Sequence, residues 1–330
     1  MPYLNKVVFT GDPQQLINYV EDIPQIVRPF GTQSLLSHLP LLDSERIRTV
    51  ILRETYRFHP ELAECIAATG YGKNLVPAVS RDARSMVTGA DLKLPTPSFP
   101  IMLFHQEDED VRDPNSFSRH NIAQADNAVD ILLRLLARLP EHATVAVLCL
   151  YTAEKERMKE RLRALGINSV KVSSVDGYQA NEADIVYLLT TRSISASDSK
   201  TSLEFIQNDR RATVAISRAR HGVILHGNLK TLSTGLVWRL FILYALGKTE
   251  ALDPDSYLKM WRDGIPSKPI SLPLWTLDGA PPTSRIHYQR EWRNRTMPPL
   301  PESLGRPSIL PPQGPCSSKD TPPGIEGSFD

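Results

Sequence analysis

Four arginines lie within one short segment of this 330-residue chain, Asn208–His221. They are Arg210, Arg211, Arg218 and Arg220. The surrounding pattern predicts one helix over 208–220 that leads into an apolar strand over 222–227. A guanidinium stays charged at neutral pH and offers a rigid fork of donors that matches phosphate oxygens. The segment therefore indicates an anion-binding face, although a solvated basic helix would have the same composition.

Two further segments place polar side chains directly after apolar runs. In Val7–Leu16 an apolar run ends in Gly-Asp and is followed by Gln14 and Gln15, which predicts a buried parallel strand with polar groups at its carboxyl end. In Leu52–Leu62 a predicted strand delivers Tyr56 and Arg57 just before a helix that begins with a proline. An aromatic ring beside an arginine is suited to stack a base and hold a phosphate, or to form a structural cation–π pair.

A third segment, Val170–Leu189, consists of two apolar strand candidates around a polar loop. The polar part carries the hydroxyls of Ser173 and Ser174, the amide of Gln179 and the carboxyl of Glu182. Loops of this kind are where α/β domains commonly keep their chemistry.

In this order and at these intervals, the four segments resemble the later motifs of superfamily 1 helicases, in the group that contains the nonsense-mediated-decay RNA helicase and senataxin. That family reads Gly-Asp-x-x-Gln-Leu in motif III, Tyr-Arg-Met-His-Pro in motif IV, Asp-Gly-Phe-Gln-Gly-x-Glu in motif V and Arg-x-x-Val-Ala-Leu-Thr-Arg-Ala in motif VI. The resemblance spans roughly residues 4–230. It implies an α/β fold with a parallel sheet, the RecA-like (P-loop NTPase-type) C-terminal domain of a helicase.

The resemblance also implies roles for individual residues. Arg57 and Arg218 correspond to arginine fingers that neutralise a transferring phosphoryl group, and Gln15 corresponds to a sensor of the γ-phosphate. The residues expected at the rest of the nucleotide are Tyr56 at the adenine, Glu182 at the ribose, and Gln179. Ser173 and Ser174 are expected to contact the nucleic-acid backbone, and no metal ligand is expected.

Two positions depart from the family pattern. Ala180 replaces the glycine of motif V, and alanine is expected to strain the loop if that position takes a positive φ. Ala212 and Thr213 stand where motif VI usually has Leu-Asn, so one polar contact of the family is lost.

Neither a Walker A loop nor an Asp-Glu-Ala-type Walker B motif occurs in the 330 residues. ATP and Mg²⁺ are therefore expected in the complete enzyme, and neither is expected to bind tightly to this chain alone. The resulting hypothesis is the C-terminal half of an ATP-dependent helicase, inactive alone, present as an incomplete gene product or a standalone remnant. Its expected partners are single-stranded nucleic acid, RNA in preference to DNA, and the missing N-terminal lobe. The alternative is a non-catalytic module that binds RNA or a protein partner.

Composition narrows the classes of protein that remain. The net charge of +1 provides no global basic field, so nucleic-acid contacts must come from local patches. Cys65, Cys149 and Cys316 are far apart, which argues against a zinc site or a disulfide framework and favours a reducing compartment, cytoplasmic or nuclear. No apolar run is long enough to predict a membrane span.

The chain is predicted to divide into three parts. Residues 1–40 are expected to be a remnant of a first RecA-like lobe, poorly covered and including a helix over 32–39, and 41–246 a second RecA-like lobe. Residues 247–330 are predicted to be an extension that is largely disordered from about 265, because 15 of the 27 prolines fall there. The strands predicted for the second lobe are 47–53, 99–104, 144–150, 169–175, 184–190 and 222–227. The predicted helices are 60–70, 120–139, 152–165 and 208–220.

Overall fold

The computed structural model describes residues 7–16, 48–193 and 203–272. Its strands are β1 (Glu54–Thr55), β2 (Val76–Pro77), β3 (Ile101–His105), β4 (Val111–Arg112), β5 (Arg119–His120), β6 (Val145–Cys149), β7 (Val170–Ser174), β8 (Ala183–Leu189), β9 (Ala219–Gly227), β10 (Ala251–Leu252) and β11 (Pro269–Ile270). Its α-helices are α1 (Pro60–Ile66), α2 (Ile122–Leu136), α3 (Thr152–Ala164), α4 (Asp209–Ile216), α5 (Leu229–Leu232), α6 (Leu236–Leu246) and α7 (Pro254–Asp263). The predicted helix over 32–39 and the proline-rich tail from 273 onward lie outside the described residues.

Seven of the strands form one sheet in the order β11-β10-β3-β9-β8-β6-β7. Every neighbouring pair in it is parallel except β10 and β11, which are antiparallel. Two small pairs lie apart from this sheet, a parallel one between β1 and β2 and an antiparallel one between β4 and β5. Because parallel strands need crossover connections, helices alternate with strands along the chain.

Helices cover both faces of the sheet, and strand β8 shows why. All of its residues are buried, with Val186 and Leu188 in one apolar cluster and Ile185 and Tyr187 in another. Successive side chains of a strand point to opposite faces, so each face needs its own cover. Helices α1, α4 and α6 pack on the first face, and α2, α3 and α7 pack on the second. The predicted fold class, α/β with a parallel sheet, is confirmed.

Two predicted strands are wrong. Residues 7–12 and 48–53 have no strand structure, and Val8 and Leu52 are 72% and 88% exposed. An isolated apolar run does not become a strand without a neighbour that satisfies its N–H and C=O groups. Within the described residues strand pairing begins only at Glu54, and the preceding Arg53 contributes just its carbonyl, which accepts from the Val76 N–H at 2.8 Å.

Two predicted helices end early. Helix α1 stops at Ile66 and continues as a π-helical turn over Ala67–Tyr71, in which Gly70 has a φ of 153°. Helix α4 stops at Ile216, because Ala219 already pairs with Ala183 in the sheet and the chain must be extended there. The four arginines therefore do not share one helix: Arg218 lies in the connection and Arg220 in β9.

The lobe also runs further than predicted. Regular structure continues past 246 through β10, α7 and β11, and β10 extends the main sheet beside β3. Tyr257 and Leu258 of α7 complete the second apolar cluster, so burial rather than proline content decides where this lobe ends. Across the described ranges, no helix combines the length and the apolar character that crossing a bilayer requires.

Candidate functional site

The polar cluster that joins the sequence-predicted residues lies at the amino ends of β8 and β9. These strands are parallel neighbours, and Ala183 pairs with Ala219. Glu182 and Arg218 immediately precede those two residues, so both sit at the same edge of the sheet although 35 residues separate them in sequence.

Arg57 reaches this edge from the connection between β1 and α1. Its Nε donates to Glu182 Oε2 at 2.7 Å, and its Nη1 donates to the carbonyl oxygen of Ser217 at 2.9 Å. The His59 N–H donates to the Arg220 carbonyl at 2.8 Å and ties the connection to β9. The Arg57 and Glu182 side chains are 30% and 40% exposed, so their ion pair is open to solvent and to exchange.

Arg218 is 1% exposed, yet its guanidinium contacts only uncharged oxygens. It donates to Val214 O at 3.0 Å, Ser217 Oγ at 2.7 Å, Gln15 Oε1 at 3.2 Å and Asn181 O at 3.5 Å. No carboxylate of the described chain forms an ion pair with it. Burial first, and then the neighbouring charge of Arg57, lowers the pKa of Arg218 to about 10, so it remains charged at neutral pH. A buried charge without a counter-ion is costly, which indicates that an anion belongs here.

Gln15 joins the cluster from the segment 7–16. Its Oε1 accepts from Arg218, and its Nε2 donates to Asp12 Oδ2 at 2.8 Å. The Tyr71 hydroxyl donates to the same Asp12 oxygen at 2.6 Å. The structure therefore brings together four of the sequence-predicted residues, Gln15, Arg57, Glu182 and Arg218.

Tyr56 and Gln179 lie at the border of this cluster. The Tyr56 ring is 66% exposed, and its hydroxyl donates to Glu54 Oε2 at 2.9 Å. Gln179 Nε2 donates to the Leu16 carbonyl at 3.1 Å. Next to it, Ala180 has a φ of 66°, so the alanine adopts the backbone conformation that favours glycine. The alanine that stands at the motif V glycine therefore carries local backbone strain.

Ser173 and Ser174 are not part of this cluster, because they end β7 at the carboxyl-end edge of the sheet. The Gly177 N–H donates to Ser174 Oγ at 3.2 Å. A Cβ at Gly177 would lie 3.0 Å from Ser174 Oγ and 3.3 Å from Ser173 Oγ, so the loop closes directly over both hydroxyls.

Two residues that support the cluster were missed in the sequence. Arg84 donates through Nε to Arg57 O and through Nη2 to Tyr56 O, both at 2.8 Å, and so holds the backbone of both predicted residues. Asp184 accepts from Thr144 and lies 3.0 Å from Arg220 Nε. Arg84 lies on a short turn over Asp82–Arg84, and no local pattern marks it.

A second polar cluster occupies the carboxyl-end edge. Arg192 Nη1 donates to Asp110 Oδ1 at 2.9 Å, and these side chains are only 2% and 1% exposed. The Asn121 N–H donates to Glu154 Oε2 at 2.5 Å, and burial raises the pKa of Glu154 to about 7. In the residues that the structure describes, no group of three or more His, Cys, Asp or Glu side chains is placed to hold a metal ion.

Comparison with known proteins gives one family and several relatives. Residues 32–230 match the family model described as "AAA domain". The chain is 29% identical over 246 residues to "Regulator of nonsense transcripts 1" of Caenorhabditis elegans, covering 72% of this chain and 22% of that protein. It is 28% identical over 252 residues to "ATP-dependent helicase upf1" of Schizosaccharomyces pombe, covering 74% of this chain and 26% of that protein.

A third relative has a different named substrate. The chain is 26% identical over 258 residues to "5'-3' DNA helicase ZGRF1" of Mus musculus, covering 76% of this chain and 13% of that protein. The chain thus spans about a quarter or less of the length of these relatives.

Proposed function

This chain belongs to the AAA domain family and is the C-terminal portion of a superfamily 1 helicase of the group that includes Regulator of nonsense transcripts 1, and on that premise we propose that it supplies one half of an ATP site. The single observation that carries the proposal is the buried guanidinium of Arg218, which has no counter-ion among the described residues. A triphosphate would supply the missing negative charge.

The other members of the cluster suit the same ligand. Arg57 lies beside Arg218, and its exposed ion pair with Glu182 contributes at most about 1 kcal/mol, so a phosphate oxygen can displace the carboxylate. Glu182 is then free to accept from the ribose hydroxyls. Gln15 faces Arg218 and is placed for the γ-phosphate, while Tyr56 offers an exposed ring for the adenine and Gln179 lies nearby.

In this proposal the chain contributes charge stabilisation and positioning to phosphoryl transfer. Two guanidiniums aimed at the transferring group neutralise the charge that spreads over its oxygens in the transition state. The described residues fit the phosphates of ATP, but they offer no group of carboxylates for Mg²⁺. Mg²⁺, which would supply further charge neutralisation, and the phosphate cradle itself are assigned to the N-terminal lobe of the complete enzyme.

The proposal extends to nucleic acid and to the compartment. Ser173 and Ser174 end β7 and are proposed to bond the backbone of a single strand, RNA in preference to DNA. The N-terminal lobe is the second proposed partner, and a reducing compartment, cytoplasmic or nuclear, is the proposed location. The non-catalytic alternative was favoured by the replaced glycine, but Ala180 keeps the glycine-type backbone, so that replacement gives no reason to prefer it.

The test is a phosphorus NMR titration of ATP with the full 330-residue chain. We expect weak binding that shifts the β- and γ-phosphate signals, and no hydrolysis. Arg218→Ala and Arg57→Ala should each weaken this binding about tenfold or more, the factor expected when a charge-assisted hydrogen bond is lost. Arg210→Ala is the matched control, since Arg210 comes from the same basic segment but lies on α4, away from the cluster.

Equal loss in the Arg210 and Arg218 variants would mean that the segment attracts phosphate only through its general basic charge. That outcome would support the alternative interpretation, a solvated basic helix, and would contradict the proposed site.

A further inference from the structure

The half-buried phenol of Tyr71 is the start of a hydrogen-bonded series that ends at Arg218. The Tyr71 hydroxyl donates to Asp12 Oδ2 at 2.6 Å, the Gln15 Nε2 donates to the same oxygen at 2.8 Å, and Gln15 Oε1 accepts from Arg218 at 3.2 Å. The motif resemblance assigns no role to Tyr71 or to Asp12.

The series fixes which way the Gln15 amide points. A carboxylate can only accept and a guanidinium can only donate, so the amide nitrogen must face Asp12 and the amide oxygen must face Arg218. The other Asp12 oxygen, Oδ1, accepts from the Gln14 N–H at 2.9 Å. Asp12 is therefore held at both oxygens, and burial together with Asp12 raises the pKa of Tyr71 well above its usual value, so the phenol remains a donor at neutral pH.

The turn that carries Tyr71 is shaped to receive the segment that carries Gln15. It is the helical turn Ala67–Tyr71, which is kinked at Gly70, where the backbone leaves the helical conformation. Gln14 Nε2 donates to the Gly70 carbonyl at 3.3 Å, and a Cβ at Gly70 would lie 3.0 Å from Gln14 Oε1. A Cβ at Gly70 would crowd the Gln14 side chain, and the φ of 153° at Gly70 favours glycine in its own right.

We propose that Tyr71 is a positioning residue for Gln15. By holding Asp12 in place, Tyr71 sets the orientation of the Gln15 amide that meets the γ-phosphate. The consequence of this positioning for ATP binding rests on the proposed function. Phosphate oxygens only accept, so Gln15 must turn its Nε2 from Asp12 to the γ-phosphate when ATP binds, and Arg218 then donates to the phosphate instead of to Gln15. Tyr71 and the Gln14 N–H keep Asp12 in place while the Gln15 amide turns. The Gln15 amide bonds to Asp12 again when the γ-phosphate leaves.

The experiment follows the Gln15 side-chain amide by NMR in the full 330-residue chain labelled with ¹⁵N, its signal identified by its loss in Gln15→Glu. In Tyr71→Phe the Gln15 amide protons should exchange with solvent about tenfold faster, the factor expected when a hydrogen bond to a charged group is lost. Tyr244→Phe is the matched control, because the Tyr244 hydroxyl also donates to a carboxylate, Glu64 Oε2 at 2.8 Å. Tyr244 lies on α6, which packs against the turn of Tyr71, so this control also reports effects carried by packing.

Unchanged exchange in Tyr71→Phe overturns the proposal, and so does an equal increase in Tyr244→Phe. If Tyr71→Phe unfolds the lobe, Asp12→Ala gives the same test from a segment without helix or strand, and unchanged exchange there overturns the proposal as well.

ATP and ADP, each added to the unsubstituted chain, separate this inference from the proposed function. A Gln15 signal that neither nucleotide moves removes the γ-phosphate role and leaves the positioning by Tyr71 intact, whereas movement by ATP with no effect of Tyr71→Phe removes the positioning alone.

Discussion

Two buried arginines at opposite edges of the same sheet have opposite surroundings. Arg192 follows β8 at the carboxyl-end edge, where Asp110 neutralises it at 2.9 Å. Arg218 precedes β9 at the amino-end edge and is equally buried, but it bonds only to uncharged oxygens. Burial of a charge must be offset; the carboxyl-end edge supplies its own counter-ion, whereas the amino-end edge would take one from the proposed ligand. Burial alone does not distinguish the two; the identity of the bonded atoms does.

The largest effect expected from this comparison is the loss of Asp110. Asp110→Ala would remove the buried carboxylate that bonds Arg192 at 2.9 Å and also bonds Arg119, and it should lower the free energy of unfolding by about 3–5 kcal/mol in urea denaturation. The control is Asp91→Ala, which removes an exposed pair with Lys93 at 3.1 Å and should cost less than about 1 kcal/mol. Similar costs for the two variants would show that the carboxyl-end edge does not depend on its ion pair.

The second prediction concerns pH at the same edge. Burial raises the pKa of Glu154 from 4.5 to about 7, so the folded protein binds this proton more tightly than the unfolded chain does. Its contribution to stability is present below pH 4.5 and is lost as pH rises towards 7, by about 2–3 kcal/mol. In Glu154→Gln, which keeps an acceptor for the Asn121 N–H, the stability difference between pH 5 and pH 8 should shrink by that amount. Parallel pH curves from urea denaturation would contradict a buried titrating Glu154.

The third prediction concerns the amino-end edge, where removing an arginine should raise the free energy of unfolding instead of lowering it. Arg218→Met removes a buried charge that lacks a counter-ion and should raise the free energy of unfolding by about 1–2 kcal/mol, while weakening ATP binding. Arg192→Met should lower the free energy of unfolding, since it removes one of the two arginines that bond the buried Asp110 carboxylate. Urea denaturation of both variants sharpens the comparison, and a loss of equal size in both would mean that Arg218 serves the fold.

The smallest expected effect comes from backbone strain at the same edge. Ala180 has a φ of 66°, and glycine adopts that conformation without the clash of a Cβ, so Ala180→Gly should stabilise the lobe by about 0.5–1 kcal/mol. Ala164→Gly, at the exposed end of α3 with ordinary helical backbone, should destabilise it by a similar amount. Thermal unfolding of the two variants should therefore shift in opposite directions.

The interior of the fold could be predicted from the sequence because its signal is local. The buried strands β3, β6, β8 and β9 are short apolar runs, and α2 shows apolar residues at three- and four-residue spacing. The runs at 7–12 and 48–53 carry the same local signal, but their state depends on neighbours that local pattern does not specify.

The site was only partly accessible to sequence. The motif resemblance selected Gln15, Arg57, Glu182 and Arg218, which the structure places together, while their roles remain predictions. Arg211 and Arg218, expected on one helix, are separated, because Arg211 bonds Asp176 at 2.8 Å and Arg218 lies beyond the end of α4. Contacts such as Arg192 with Asp110, 82 residues apart in sequence, follow from strand order and leave no local trace.

Strand β11 has a consequence for self-association. It closes one side of the main sheet with two antiparallel residues, and the first of them, Pro269, has no N–H to offer to another chain. On the other side, β7 presents the exposed Lys171, a charge that discourages pairing between copies. Neither border provides a long, uninterrupted row of donors and acceptors, so addition of strands from other copies at the borders of the sheet is disfavoured. Aggregation at high concentration should therefore depend on the exposed apolar runs outside the sheet, at 7–12 and 48–53.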